Sequence, residues 1–244
     1  MRAIVLAGGR GKRMGVLTKN AQKATLYFND NPLIAHVLNG LLQEPSVSDI
    51  VILTGYRGND IRQLVNKLYR ELLDERRLVL FDFPKVKGTL SRLIAGLTNL
   101  EMKQGCYVCG IDALVHATVF RRFCSYVNIH QEDVVLSLSP RIKIAPTHKL
   151  AYVSGDTLMR YIIAHGSFNK ELRELQWCVD VGVRYLPVDI LGMLRGKDFS
   201  QERYIHGFIQ QLLQNGRIIK GFIFQEEWKH FATINDLYGA MPLS

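Results

Sequence analysis

The sequence predicts an α/β fold: a Rossmann-like, mainly parallel mixed sheet flanked by helices, with an antiparallel portion in its second half. Three observations carry this. Short apolar runs alternate with stretches of helical periodicity through the first half, the pattern of right-handed strand–helix–strand crossovers. A glycine-rich turn follows the first apolar run at once, as in the opening unit of such a sheet. From Asp133 the pattern changes to strand-like runs joined by turns such as Ser154-Gly155-Asp156. With 244 residues, 48% hydrophobic and 22% charged, and no Pro/Gly/Ser linker, the chain reads as one continuous domain over 1–244.

Each element follows from local chemistry. Arg2 to Leu6 is a short buried strand. Ala24 to Phe28 is a second short strand, and Asn29-Asp30-Asn31 a turn. Asn31-Pro32 reads as a helix start, with Asn as cap and Pro at the first helical position. Leu33, Ile34, Val37, Leu38, Leu41 and Leu42 then recur at helical spacing until Glu44-Pro45. Asp49 to Thr54 is a strand, Asn59 to Leu73 an amphipathic helix, and Leu78 to Phe83 another strand. Gly88-Thr89 opens a helix whose apolar face is Leu90, Leu93, Ile94 and Leu97. Cys106 to Cys109 lies in a strand, and Ala113 to Phe123 reads as a helix. Strands follow over Asp133 to Leu138, Lys149 to Val153, Met159 to His165 and Trp177 to Tyr185. Helices over Val188 to Leu194 and Glu202 to Gln214 precede a strand from Arg217 to Phe224. Thr233 begins a last helix, capped by a box with Asp236.

Composition narrows the function classes. No apolar run reaches the roughly 20 residues of a membrane helix, and Met1 leads straight into a strand rather than a signal-peptide pattern. A cytoplasmic protein is the expectation. The net charge of +9 suggests an anionic ligand. The sequence carries no zinc-finger or RNA-recognition motif and no aromatic–arginine stripe, so nucleic acid is unsupported as a partner. Cys106 and Cys109 have metal-ligand spacing, but residues three apart on a strand face opposite ways. Buried structural thiols are the expectation for all four cysteines.

The chemistry concentrates in Leu6-Ala7-Gly8-Gly9-Arg10-Gly11-Lys12-Arg13-Met14 and the lysines that follow, Lys19 and Lys23. Glycines that reach positive φ and carry no Cβ let backbone amides close around phosphate oxygens. A Walker loop is excluded because Leu6 and Arg13 stand where Gly and Ser/Thr are required. The dinucleotide fingerprint is excluded by Met14 at its third glycine site. The stretch resembles instead the signature of the sugar-phosphate nucleotidyltransferases, Leu-Ala-Gly-Gly-x-Gly-Thr-Arg-Leu followed by Pro-Lys, with Lys12 for Thr and Gln22-Lys23 for Pro-Lys.

That resemblance implies a nucleotide-diphospho-sugar transferase fold, with a nucleotide-binding half over 1–130 and an acceptor-binding half over 131–244. It implies a reaction between a nucleoside triphosphate and a sugar 1-phosphate that gives an NDP-sugar and pyrophosphate. Leu6, Ala7, Gly8, Gly9, Gly11 and Lys12 would hold the nucleotide. Gly88-Thr89-Leu90 partly matches the Gly-Thr-Ala segment that lies against the base, although a plain helix cap explains Thr89 as well. Arg13 would neutralise the leaving phosphates, and Lys23 would contact the α-phosphate or the acceptor phosphate. Asp112, two residues after Gly110, takes the place of the family's metal aspartate; a helix-capping aspartate is the plainer alternative. Asp180-Val181-Gly182-Val183-Arg184-Tyr185 resembles Asn-Ala-Gly-Ile-Tyr, making Asp180 and Gly182 acceptor residues.

Two departures matter. The family's Glu-Lys, whose lysine meets the sugar phosphate, has no counterpart in Ile162-Ile163-Ala164-His165-Gly166; His165 is the candidate there. Trp228-Lys229-His230-Phe231-Ala232-Thr233 resembles Trp-x-Asp-x-Gly-Thr, so His230 stands where a second metal aspartate belongs. The implied cofactor is Mg²⁺ at Asp112 and His230, with Mn²⁺ as the alternative because imidazole is a poorer partner than carboxylate for a hard ion such as Mg²⁺. A homo-oligomer, such as a dimer, is expected by resemblance alone. The competing reading is a catalytically weakened or inactive protein that binds nucleotide or sugar phosphate on the same fold.

Overall fold

A computed structural model of the chain describes residues 1–140, 148–163, 177–196 and 202–238. Among the described residues the frame is one mixed sheet of nine strands. Four strands, β1 (Arg2–Leu6), β4 (Asp49–Thr54), β5 (Leu78–Asp82) and β6 (Cys106–Gly110), run parallel, with β1 between β4 and β6. The chain leaves β1 towards β4 and β5 and returns to its other side as β6. The strand order therefore reverses beside β1, and Leu6 pairs with Gly110 at the carboxyl edge of the crevice this creates.

Side chains alternate along β1 into two cores. Ala3 and Val5 face one, with α1 (Leu33–Leu42), α2 (Gly58–Leu68) and α5 (Ala117–Ile129). Ile4 and Leu6 face the other, with α4 (Thr89–Leu97), α6 (Val188–Gly196) and α7 (Ile205–Gln214). Cys106 and Cys109 fall into opposite cores, free and buried, as the strand period requires. Burial pushes the Cys109 thiol up to about 12, so it is inert as a nucleophile.

The second half continues the same sheet. β11 (Trp177–Leu186) runs antiparallel to β6 and to β8 (Val134–Ser139), and β12 (Ile219–Ile223) lies parallel to β8. β9 (Lys149–Ser154) and β10 (Thr157–Ile163) form a hairpin whose free side folds back, so that β9 also pairs with β11 through Trp177 to Val179. The antiparallel strands therefore extend the sheet and curl its end, rather than lying across it.

Several boundaries differ from the sequence reading. Tyr27–Phe28 (β2) and Asn31–Pro32 (β3) form a two-residue hairpin around Asn29 and Asp30, both at positive φ. Pairing keeps Asn31 and Pro32 extended, so Pro32 becomes the cap of α1 and Asn31 does not cap it. Lys23–Thr25 is a 3-10 turn where a strand was expected. The helix expected over Asn59 to Leu73 breaks at Tyr69 (φ −137°, ψ 35°) into α2 and α3 (Arg70–Asp74). There the Tyr69 hydroxyl reaches across to Asn39 Oδ1 at 2.8 Å. The helix expected from Ala113 starts only at Ala117, capped by His116; Ala113–Val115 is a strand, β7, paired with β13 (Trp228–His230). The closing helix α8 (Ile234–Tyr238) has its box: the Thr233 amide donates to Asp236 Oδ2 at 2.7 Å and the Asp236 amide to Thr233 Oγ1 at 3.4 Å.

α4 and α7 meet end to end. The Leu90 amide donates to the Arg203 carbonyl, and the Ile205 amide to Thr89 Oγ1 at 3.1 Å. Gly88 has φ +94°, and a Cβ on it would lie 2.1 Å from the Arg203 carbonyl oxygen. Gly88→Ala is therefore both strained and obstructed by backbone. It should lower stability by about 2 kcal/mol or more, read from the midpoint of urea unfolding.

Candidate active site

The loop after β1 is built by satisfying its carbonyls and leaving its amides. The Gln22 side chain, 1% exposed, donates from Nε2 to the Ala7 carbonyl at 2.7 Å and to the Gly9 carbonyl at 3.1 Å, and its Oε1 accepts the Ala24 amide. The Gly8 carbonyl accepts from the Tyr56 amide, and the Gly11 carbonyl from the Met14 amide and the Thr18 hydroxyl. Among the described residues the amides of Gly8, Gly9, Arg10 and Gly11 have no acceptor within the protein. A turn whose carbonyls are tied back and whose N–H groups are open is an anion cradle. Gly11 has φ +61°, and a Cβ there would meet Lys23 Cβ and Thr18 Cγ2 at 3.0 Å. Gly8 is packed on the Arg92 guanidinium, whose Nε lies 2.2 Å from where its Cβ would sit.

Arg92 itself is 5% exposed and donates to the Thr54 carbonyl at 3.1 Å and the Val86 carbonyl at 2.5 Å. Burial pushes its pKa down, with Asp82 opposing. It supplies a positive charge directly beneath the amide cradle.

Across the crevice stands Asp112. Its Oδ2 lies 3.2 Å from Lys23 Nζ; the Lys23 side chain is 8% exposed and that of Asp112 40% exposed. Burial works against ionisation of Asp112, but Lys23, His230 and Lys149 outweigh it and hold the carboxyl below the usual carboxylate range. The β7–β13 ladder pairs Ala113 with His230, and the Phe231 amide donates to the Asp112 carbonyl at 2.8 Å. These bonds set His230 beside Asp112. Burial lowers the His230 pKa, Lys23 and Lys149 add to this, and Asp112 and Asp236 oppose it. The balance favours the uncharged imidazole. Its ring centroid lies 5.5 Å from that of His148.

The structure brings Leu6, Ala7, Gly8, Gly9, Gly11, Lys23, Asp112 and His230 to one end of the crevice. Lys12 and Arg13 are exposed on the 3-10 segment that follows the loop, and Arg13 lies within electrostatic reach of Lys149. Gly88 and Thr89 sit at the α4–α7 junction. Asp180 is 6% exposed, and its oxygens already accept from the Tyr161 hydroxyl, Arg184 Nη2 (2.6 Å) and the Gly182 amide (2.9 Å). Gly182 has φ +97° and open space where a Cβ would sit. His165 lies outside the described residues. The helix-cap alternative for Asp112 does not hold, because strand β7 follows it.

Four residues were missed. Arg92 is placed at the site only by the packing of α4 under the loop. Gln22 stands in the sequence only as a departure from Pro. Lys149 was read as the start of a strand, and Arg184 as part of a motif centred on Asp180 and Gly182. Only the fold puts the last two on the site.

Residues 3–176 match the MobA-like NTP transferase domain, and the chain belongs to that family. It is a nucleotidyltransferase-type domain. Over 56 residues it is 41% identical to a choline-phosphate cytidylyltransferase of Streptococcus pneumoniae, a match that covers 23% of this chain and 24% of that protein's length. The fold is that of the inositol-1-phosphate CTP transferase from T. maritima (TM-score 0.75, 18% identity, 97% of this chain and 91% of that one). It is also that of a UDP-glucose pyrophosphorylase complexed with UDP-glucose (TM-score 0.76, 16% identity, 98% and 96%). Among the described residues no helix is long and apolar enough to cross a membrane.

Two outcomes test this geometry. Gln22→Leu strands the Ala7 and Gly9 carbonyls and should cost about 1–3 kcal/mol of stability, seen in thermal or denaturant unfolding. Lys23→Met removes the contact that favours the charged carboxylate, so the Asp112 carboxyl should titrate at higher pH than in wild type, followed by carboxyl ¹³C shifts. Because its folded value is depressed, the stability Asp112 contributes is present above the unfolded carboxylate range (about 3.9). It disappears as pH falls through the folded value, and the substitution should narrow that acid window.

Proposed function

We propose that this chain joins a nucleoside triphosphate to a phosphomonoester, a sugar 1-phosphate being the first candidate, and releases pyrophosphate. The observation that carries the reading is the Lys23–Asp112 pair facing an amide cradle at the strand-order reversal. A phosphate oxygen of the acceptor forms a bond to the α-phosphorus. The bond from that phosphorus to the α,β-bridging oxygen breaks in line, and its electron pair leaves on pyrophosphate. No proton transfer is required of the protein when the acceptor is a dianion, so positioning and charge neutralisation suffice. The amides of Gly8 to Gly11 hold the triphosphate against the Arg92 charge below them. Lys12 and Arg13 offset charge on the leaving phosphates, and Lys23 reaches the α-phosphate from the Asp112 side.

The donor set suits a divalent ion in part. Asp112 offers a carboxylate oxygen not engaged by Lys23, and His230 a neutral nitrogen beside it. Among the described residues no three His, Cys, Asp or Glu side chains converge into a metal cluster. Asp112 would hold Mg²⁺ or Mn²⁺ with His230 alongside, leaving the other positions to phosphate oxygens and water. The ion supplies charge neutralisation across the phosphates when bound.

A second reading has one specific observation behind it. His230 in place of a carboxylate removes a negative charge from the metal side, which favours binding of nucleotide or sugar phosphate without efficient turnover. One assay separates the two: pyrophosphate release from each of four nucleoside triphosphates against sugar 1-phosphates and phosphocholine, with Mg²⁺ and with Mn²⁺. The transferase reading expects release with one pairing and a loss of about 100-fold or more in Asp112→Asn. Binding of a triphosphate with no release under either ion would leave the second reading standing. His230→Asp should shift the ion preference towards Mg²⁺.

A further inference from the structure

Beyond the triphosphate cradle, the wall formed by β9 and β11 carries a second group of charges that the reading above does not use. The β9–β11 ladder pairs Leu150 with Val179, so one residue further on Lys149 stands beside Asp180. Lys149 is within electrostatic reach of Asp180, Arg184, Asp112 and Arg13. Among the described residues it makes no hydrogen bond or ion pair. Asp180 favours its charge from a distance but makes no contact with it, and the Asp180 oxygens accept instead from Tyr161, Arg184 and the Gly182 amide.

Arg184 is incompletely satisfied as well. One terminal nitrogen is on Asp180, while Nε is buried and has no partner. A buried guanidinium nitrogen without an acceptor costs free energy, as does a half-buried ammonium with no hydrogen-bond acceptor. Here the two deficits sit on one wall, next to the open space at Gly182. From α7, His206 is also in reach of Lys149, Arg184 and Asp180; burial and the two cations lower its pKa, so it adds no lasting positive charge at pH 7. What the wall lacks is an anion with several acceptor oxygens.

We propose that Lys149 and Arg184 form the subsite for the acceptor's phosphate, with Asp180 as the positioning residue that holds Arg184. This rests on the nucleotidyl-transfer reading. The phosphate would sit between this wall and Lys23, which places its attacking oxygen on the side of the crevice facing the amide cradle. The acceptor's remaining atoms would lie over Gly182, where no side chain intrudes. Charge-assisted hydrogen bonds from two cations to a phosphate dianion are the strong kind, and Arg offers a fork suited to two oxygens.

The test uses the full chain, loaded with whichever of the four nucleoside triphosphates binds most tightly, in EDTA so that nothing turns over. Inorganic phosphate, glucose 1-phosphate and phosphocholine are then titrated by calorimetry into wild type, Lys149→Met, Lys149→Arg and Arg184→Gln. The proposal expects at least one of these probes to bind wild type, to bind Lys149→Met and Arg184→Gln about tenfold or more weakly, and to recover largely in Lys149→Arg. Triphosphate affinity is measured in each variant alongside, and the loss of probe binding should exceed any loss of triphosphate binding by about tenfold. Arg184→Gln leaves Asp180 buried without its cation and can unfold; Lys149→Met, at a strand end, decides the matter alone in that case. Unchanged probe affinity in Lys149→Met, or no probe binding to the triphosphate-loaded wild type, overturns the subsite. Failure of every triphosphate to bind wild type, with Mg²⁺ or Mn²⁺ present as well as in EDTA, overturns the transferase reading instead.

Discussion

The contact between the Lys23 ammonium and the Asp112 carboxylate joins two segments that follow neighbouring strands at one edge of the sheet. Lys23 follows the glycine loop after β1, and Asp112 follows β6, the strand that pairs with β1 on the side opposite β4. The parallel register of β1 and β6 carries both residues to the same edge of the sheet. Nearly all of the Lys23 side chain is buried, and the Asp112 carboxylate is the contact partner of its ammonium. An ion pair that a substrate anion can enter is a different device from a structural salt bridge, whose partners gain nothing from being separated.

Around this pair the protein arranges charge by layer. Arg92 lies under the loop, Lys23 and Lys149 flank Asp112, and Arg184 is fixed by Asp180. Each buried cation is held by something specific: carbonyls for Arg92, a carboxylate for Lys23 and Arg184. Only Lys149 has neither among the described residues. Long-range attraction of a polyanion by the +9 surface is sequence-independent and screened by salt. The buried cations act at contact distance, where geometry selects among anions.

Much of the frame was legible in the sequence because it depends on local periodicity. Strands β1, β4, β5 and β6 and helices α1, α2 and α4 follow from runs and repeats that need no tertiary information. The loop was legible because glycine and lysine at those spacings have few structural uses. Two of the misplaced helix starts share one cause, the pairing of very short segments. Asn31 and Ala113 look like helix starts by composition, but two-residue and three-residue ladders hold them extended, and pairing across more than a hundred residues, as between Ala113 and His230, leaves no local trace. For the same reason Lys149 and Arg184 were not seen together: their proximity follows from β9 folding back onto β11. Gln22 was visible but misread, since proline and glutamine can each fix a loop, one by its ring and the other by hydrogen bonds.

On the proposed reading, the open amides after β1 and the Lys23–Asp112 pair together receive a triphosphate. Amide ¹H–¹⁵N spectra recorded while each of the four nucleoside triphosphates is added test it most directly. The resonances of Gly8, Gly9 and Gly11 should move furthest and saturate at the same concentration as the Lys23 Nζ signal. Saturable binding that leaves those glycines unmoved, or shifts confined to exposed basic residues and abolished by salt, would contradict it.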